Sequence, residues 1–147
     1  MDGAVKHSQL YNHSPLFLIT TVLVTTVLVT TVMMATTASA QDAALGEKVF
    51  AKCKACHQIG EGAKNGVGPV LSGIVGRPAG TYEGYSYSDA NKNSGLTWNE
   101  ATLKEYLKNP RAKVPGTKMI FPGLPKDEDI DNVIAYLKQY GADGKKS

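Results

Sequence analysis

The sequence predicts an all-α domain with large loops, and three observations carry that expectation. Three windows place apolar residues at helical spacing. No convincing strand-like alternation occurs, and the alternation of strand and helix patterns that marks a parallel sheet is missing too. Gly and Pro gather at 60–84 and again at 115–125, among few apolar side chains. Loops of that kind are costly to order, and a domain of about 100 residues buries barely enough to fold. Something other than side chains is therefore expected to fill the centre.

The first helix is expected over 42–56, "DAALGEKVFAKCKAC", starting from an Asp42 cap and carrying Val49, Phe50 and Cys53 on one face. The second is expected over 97–109, "TWNEATLKEYLKN". Thr97 and Glu100 stand in capping-box register, Leu103, Tyr106 and Leu107 share a face, and Pro110 stops the helix. The third is expected over 126–140, "KDEDIDNVIAYLKQY", with acids in its first turn, where the helix dipole favours them. Its stripe is Ile130, Val133, Ile134 and Leu137, and Gly141 is expected to close it.

Ahead of these lies a different kind of segment. Residues 16–34 read "LFLITTVLVTTVLVTTVMM", uncharged and apolar apart from threonine, with Lys6 before the run and the small residues Ala38 and Ala40 after it. This is the pattern of an export signal cleaved after Ala40. The run also approaches the length that spans a bilayer, so an uncleaved anchor is the alternative. Residues 1–40 are thus expected to be a leader and 41–147 a folded domain outside the cytoplasm. The leader removes one acid, Asp2, and one base, Lys6, so the formal charge stays at +3. With no basic run and no aromatic platform, nucleic acid is not an expected partner.

The chemistry concentrates in "CKACH", residues 53–57, which holds the only two cysteines of the chain. A zinc site wants about four ligands, but after the leader only Cys53, Cys56 and His57 remain among Cys and His. A thioredoxin-like pair would need a βαβ scaffold that the pattern lacks. A Cys53–Cys56 disulfide is permitted outside the cytoplasm, yet it closes a very short loop, where stabilisation is least, and it leaves His57 without a role. Covalent haem gives Cys53, Cys56 and His57 a role together: two thiols one turn apart for the vinyl groups, and the next imidazole for the iron.

Met119 is the sole methionine after the leader, in the Pro-stiffened loop "VPGTKMIFPGLP". Buried methionines are commonly gap fillers, but here the sulfur is also the one soft donor left for a second axial position, with a lysine amine or an open site as the other possibilities. His/Met ligation raises the reduction potential and suits electron transfer. A peroxidase would need a vacant distal position with a His or Arg beside it, and no spare histidine exists. A ligand-binding haem sensor would need Met119 off the iron.

The chain resembles class I cytochrome c, closest to the mitochondrial and bacterial cytochrome c2 branch. The resemblance runs over residues 44–140 through "GEKVFAKCKACH", "GVGPVLSGIVGR", "YSYSDANKNSGLTW", "EYLKNPRAKVPGTKMIF" and "VIAYLKQY". It implies a helical shell around one haem c, with the first and last helices crossing at Gly46 and Phe50 against Val133 and Tyr136. It further implies that Pro69 supplies the carbonyl for the proximal imidazole and that Tyr87, Asn91, Trp98 and Arg77 surround the haem propionates. Tyr106 and Thr117 become hydrogen-bond partners near Met119. Asn65 stands where mitochondrial relatives usually carry a loop-bridging histidine, which leaves that bridge open.

The resemblance also implies a monomeric periplasmic carrier, taking electrons from a quinol–cytochrome c reductase and delivering them to an oxidase, a photosynthetic reaction centre or another acceptor. Lys52, Lys54, Arg111, Lys113, Lys118 and Lys126 flank the two ligand segments and are expected to ring the exposed haem edge. The acids at 127–131 would form the opposite end of a charge dipole that orients encounter.

Overall fold

A computed structural model describes residues 41–147. The expected leader therefore lies outside the described residues, among which no helix is long and apolar enough to cross a membrane. The helices are α1 (Ala43–Phe50), α2 (Asp89–Lys92), α3 (Glu100–Lys108), α4 (Pro110–Lys113) and α5 (Asp127–Lys138). Among the described residues there is no strand. Two isolated antiparallel bridges, Pro78 with Thr97 and Tyr140 with Lys146, are the only extended pairing.

α1 begins as expected: the Asp42 carboxylate accepts the amides of Ala44 and Leu45. It ends sooner than expected. From Ala51 onward the amides bond three residues back, Lys52 to Val49 at 3.0 Å and Cys53 to Phe50 at 2.8 Å, a tightened turn of the kind that finishes helices. "CKACH" thus sits in a turn after α1 instead of inside it.

α3 is capped by Asn99, whose side chain accepts the Thr102 amide at 2.9 Å, and not by Thr97. Thr97 is occupied elsewhere, in the bridge to Pro78, so a long-range pairing displaced the local capping box. Asn109 ends α3 and its side chain caps α4, with Pro110 at the first helical position, where a missing N–H costs nothing. α5 closes through Gln139 in a right-handed conformation, not through Gly141.

α1 and α5 cross, and the crossing is closest at Gly46. A Cβ there would stand 1.9 Å from the Asn132 carbonyl oxygen and 2.8 Å from the Tyr136 Cβ. Asn132, rather than Val133, is thus the residue under Gly46, and it also receives the Asp42 amide on its side-chain oxygen at 2.8 Å. Phe50 packs on Tyr136 with ring centroids 5.2 Å apart. Burying a side chain of this size contributes ~1.5–3 kcal/mol.

The core joins Phe50, Ile130, Val133, Ile134 and Leu137 to Leu103 and Leu107 of α3 and to Trp98. Cys53, Ile59, Leu71, Met119 and Phe121 are only partly buried against it. The most protected packing therefore lies at the helix crossing, and the loops that carry the candidate ligands stand at its margin.

Candidate haem site

The turn after α1 presents two thiols and an imidazole in succession. His57 N–H bonds back to the Cys53 carbonyl at 2.9 Å, and Cys56 N–H does the same at 3.0 Å. Both cysteines are free thiols, Cys53 partly buried and Cys56 exposed. Burial pushes the Cys53 thiol up, against a smaller downward pull from Lys52.

His57 is fixed by two contacts. Its Nδ1 donates to the Pro69 carbonyl at 2.7 Å, an acceptor that requires the proton to be on Nδ1 and leaves the lone pair on Nε2. The ring lies against Gly68, where a Cβ would come within 2.4 Å of it, so only glycine fits. Burial holds the imidazole below its ordinary pKa while the Pro69 bond works in the opposite direction. Burial thus favours the neutral ring, the form a metal ligand takes.

Met119 is held by a polar cluster on another loop. The Tyr106 hydroxyl lies 3.2 Å from its sulfur and 3.3 Å from the Thr117 hydroxyl. Thr117 Oγ1 also accepts the Met119 amide at 3.2 Å and approaches the Asn91 amide nitrogen at 3.5 Å. Burial raises the Tyr106 hydroxyl pKa, so it stays protonated and able to donate. The Asn91 side-chain oxygen is buried with no partner. A buried, unpartnered acceptor is costly, and this one lies beside the methionine loop.

The other expected residues are nearby in varied states. Trp98 is buried and packs at a tilt against Tyr106, 4.7 Å between centroids. Tyr87 meets Tyr85 edge to face, and burial raises its pKa against a downward pull from Arg77. Arg77 is partly committed to the backbone: its two terminal nitrogens donate to the carbonyls of Ser72 at 3.1 Å and Val70 at 2.9 Å, just past Pro69.

The charges are more interleaved than their order along the chain shows. Asp127, Asp129 and Asp131 are paired with Lys108, Lys52 and Lys104, so the acidic end of the supposed dipole is largely neutralised locally. Lys52 is spent in that way, and Lys113 is paired with Glu105. Among the described residues, Lys54, Arg111, Lys118 and Lys126 make no ion pair.

One bridge was left open by the sequence, and two exposed apolar residues were not singled out in it. Asn65 keeps the loop bridge that was left open, donating its amide to the Glu83 carbonyl at 3.1 Å and accepting the Val70 amide at 3.1 Å. Val67 and Ile120 are large, apolar and 76% and 87% exposed. They adjoin Gly68 and Met119 in sequence, and apolar residues neighbouring both ligand motifs were the available signal.

These residues fit a covalent haem. Two unpaired thiols could take the vinyl groups, a neutral imidazole with Nε2 free and a thioether steadied by a hydroxyl could serve as donors to the iron, and a core with its candidate loops only half buried has a use for a large apolar ring.

The comparisons agree. The Cytochrome c family model matches residues 43–141. The chain is 65% identical over 107 residues to cytochrome c2 of Rhodoblastus acidophilus, covering 73% of this chain and 100% of that one. It is 60% identical over 108 residues to cytochrome c2 of Blastochloris viridis, covering 74% and 85%. Among solved structures, cytochrome cH from Methylobacterium extorquens superposes with a TM-score of 0.62 at 57% identity, over 66% of this chain and 97% of that one. Cytochrome c2 from Rhodospirillum centenum gives 0.66 at 40%, over 68% and 98%.

Proposed function

Because the chain belongs to the class I cytochrome c family, in its cytochrome c2 branch, and is a small electron carrier with one covalently bound haem c, we propose that Cys53 and Cys56 hold the haem and that His57 and Met119 are its axial ligands. The observation that carries this reading is that each proposed ligand has a second anchor: Pro69 for the imidazole and Tyr106 for the sulfur. The haem supplies an iron that exchanges one electron.

The protein's part is to hold that iron's ligands still. Pro69 makes the imidazole a better electron donor, Tyr106 and Thr117 fix the sulfur, and the core excludes water from behind them. If His57 and Met119 both held the iron, oxygen and peroxide would have no place to bind, which suits a carrier and not a peroxidase.

Asn91, Tyr87, Trp98 and Arg77 would line the propionate side, the free oxygen of Asn91 accepting from a water or a protonated group there. Residues 1–40 serve as an export signal removed after Ala40, leaving domain 41–147 as a periplasmic monomer. The donor is a membrane quinol–cytochrome c reductase and the acceptor an oxidase, a photosynthetic reaction centre or a further reductase. Lys54, Arg111, Lys118 and Lys126 contribute unpaired charge to docking, with Lys52 and Lys113 in support.

Met119→Ala tests the reading. The wild type should be low-spin in both oxidation states, show the weak sulfur-to-iron band when oxidised and bind carbon monoxide poorly. The variant should lose the band, drop in potential and gain carbon monoxide binding. Fast, tight carbon monoxide binding by the wild type at neutral pH would favour a ligand sensor instead.

A further inference from the structure

Two features have no part in the chemistry above: the buried hydroxyl of Ser72 and the chain after α5. Ser72 is 2% exposed. Its Oγ accepts the Gly60 amide at 2.9 Å and donates to the Gly60 carbonyl at 3.3 Å. Gly60 lies just past His57, and Ser72 just past Pro69. One side chain therefore fastens together the two segments whose facing atoms are His57 Nδ1 and Pro69 O. Between the two fastenings, the Leu71 amide donates to the Gln58 carbonyl at 2.9 Å.

The C-terminal turn lies across the same two segments. After α5 the chain doubles back: Gly141 N–H donates to Lys145 O at 3.0 Å, and Ser147 N–H to Gln139 O at 2.8 Å. On the Ser72 side, Gly73 N–H donates to Tyr140 O at 3.0 Å, and a Cβ on Gly73 would stand 2.7 Å from Ala142 Cα. On the Gly60 side, a Cβ on Gly144 would stand 2.3 Å from the Gly60 carbonyl oxygen. Gly144 has φ 81°, a conformation that other residues rarely adopt. The turn thus presses backbone to backbone on both partners of the Ser72 fastening.

We infer that Ser72 and the C-terminal turn 141–147 form a buckle that fixes the spacing of His57 from Pro69 and so sets the strength of the bond that tunes the proximal imidazole. The inference rests on the reading of His57 as an iron ligand. Ser72 and Gly144 act through that bond and are positioning residues. A strong Nδ1–H···O bond makes the imidazole richer in electrons and favours the more oxidised iron. Slack in the buckle weakens the bond, so the reduction potential rises.

The test uses full-length holoprotein in the reduced state, with hydrogen exchange followed by NMR at the His57 Nδ1–H, the Gly60 amide and the amides of α3. Ser72→Ala should speed exchange of the first two about tenfold, the scale of one lost hydrogen bond, leave α3 unchanged and raise the potential. Gly144→Val should act in the same direction, and Ser72→Thr, which keeps the hydroxyl, should restore wild-type behaviour. Faster Gly60 exchange with an unchanged His57 proton and potential would overturn the proposal. Equal acceleration everywhere would overturn it too, since the buckle would then serve stability alone. Failure of the axial assignment would appear separately, in the wild type, as carbon monoxide binding.

Discussion

The hydroxyl of Tyr106 donates to the sulfur of Met119 across 3.2 Å. A donor at that position withdraws electron density from the thioether and, with Met119 as the proposed iron ligand, would favour reduced iron. Tyr106→Phe should lower the reduction potential by a few tens of millivolts, the scale of ~1 kcal/mol of hydrogen bonding that differs between oxidation states. Potentiometric titration of the purified variant checks this. An unchanged or raised potential would mean that the hydroxyl serves Thr117 and not the sulfur.

Gly46→Ala sets two effects against each other. Alanine favours a helix by ~1 kcal/mol over glycine, but its methyl would stand 1.9 Å from the Asn132 carbonyl. Backbone cannot move aside as a side-chain tip can, so overpacking wins and a net loss of ~1–3 kcal/mol is expected. Denaturant unfolding of the holoprotein should show it, with less protein recovered carrying haem. A variant as stable as the wild type would show that α1 can slide along α5 at little cost.

Ion pairing ranks the basic residues. Lys113 is tied to Glu105 and Lys118 is not, so Lys118→Glu should slow electron transfer to an acidic partner at low salt more than Lys113→Glu does. Both effects should fade as the Debye length shortens from ~10 Å at 0.1 M to ~3 Å at 1 M salt. Stopped-flow rates over a salt series measure this. Equal effects from both variants would mean that docking reads net charge alone.

Acid should weaken the links to α3. Lys138 holds the Glu100 carboxyl, and Lys108 the Asp127 carboxyl, below their ordinary values of 4.5 and 3.8. A depressed carboxyl contributes stability that is full above its unfolded pKa and is lost as pH falls through the folded one. Thermal melts from about pH 5 down to about pH 2 should therefore show falling stability, less steeply for Lys138→Gln and in high salt. Both carboxyls are on the surface, so the effect is small.

What was legible in the sequence was local. The stripe of α5 and the Asp42 cap depend on residues a few positions apart, and both are present. The ligand candidates could be named because residues 41–147 contain so few sulfurs and imidazoles. Errors arose where a distant segment intervened. Thr97 fits a cap by spacing, but Pro78 pairs with it, and Asn99 took over. The acids of α5 collect at 127–131 as the sequence shows, but their pairing with Lys52, Lys104 and Lys108 depends on distant segments. Ser72 gave no signal, because the meaning of its hydroxyl depends on Gly60 across a loop.

The amide of Asn65 ties the segment at Val70, next to the Pro69 partner of His57, to the loop at Glu83. An imidazole doing that work would gain a proton near its ordinary pKa of about 6.5 and lose the acceptor it offers to Val70. A carboxamide carries the same donor and acceptor through the whole neutral and mildly acidic range without changing charge. The knot between these loops is therefore deaf to protons, and a carrier whose surroundings acidify keeps that part of its frame fastened.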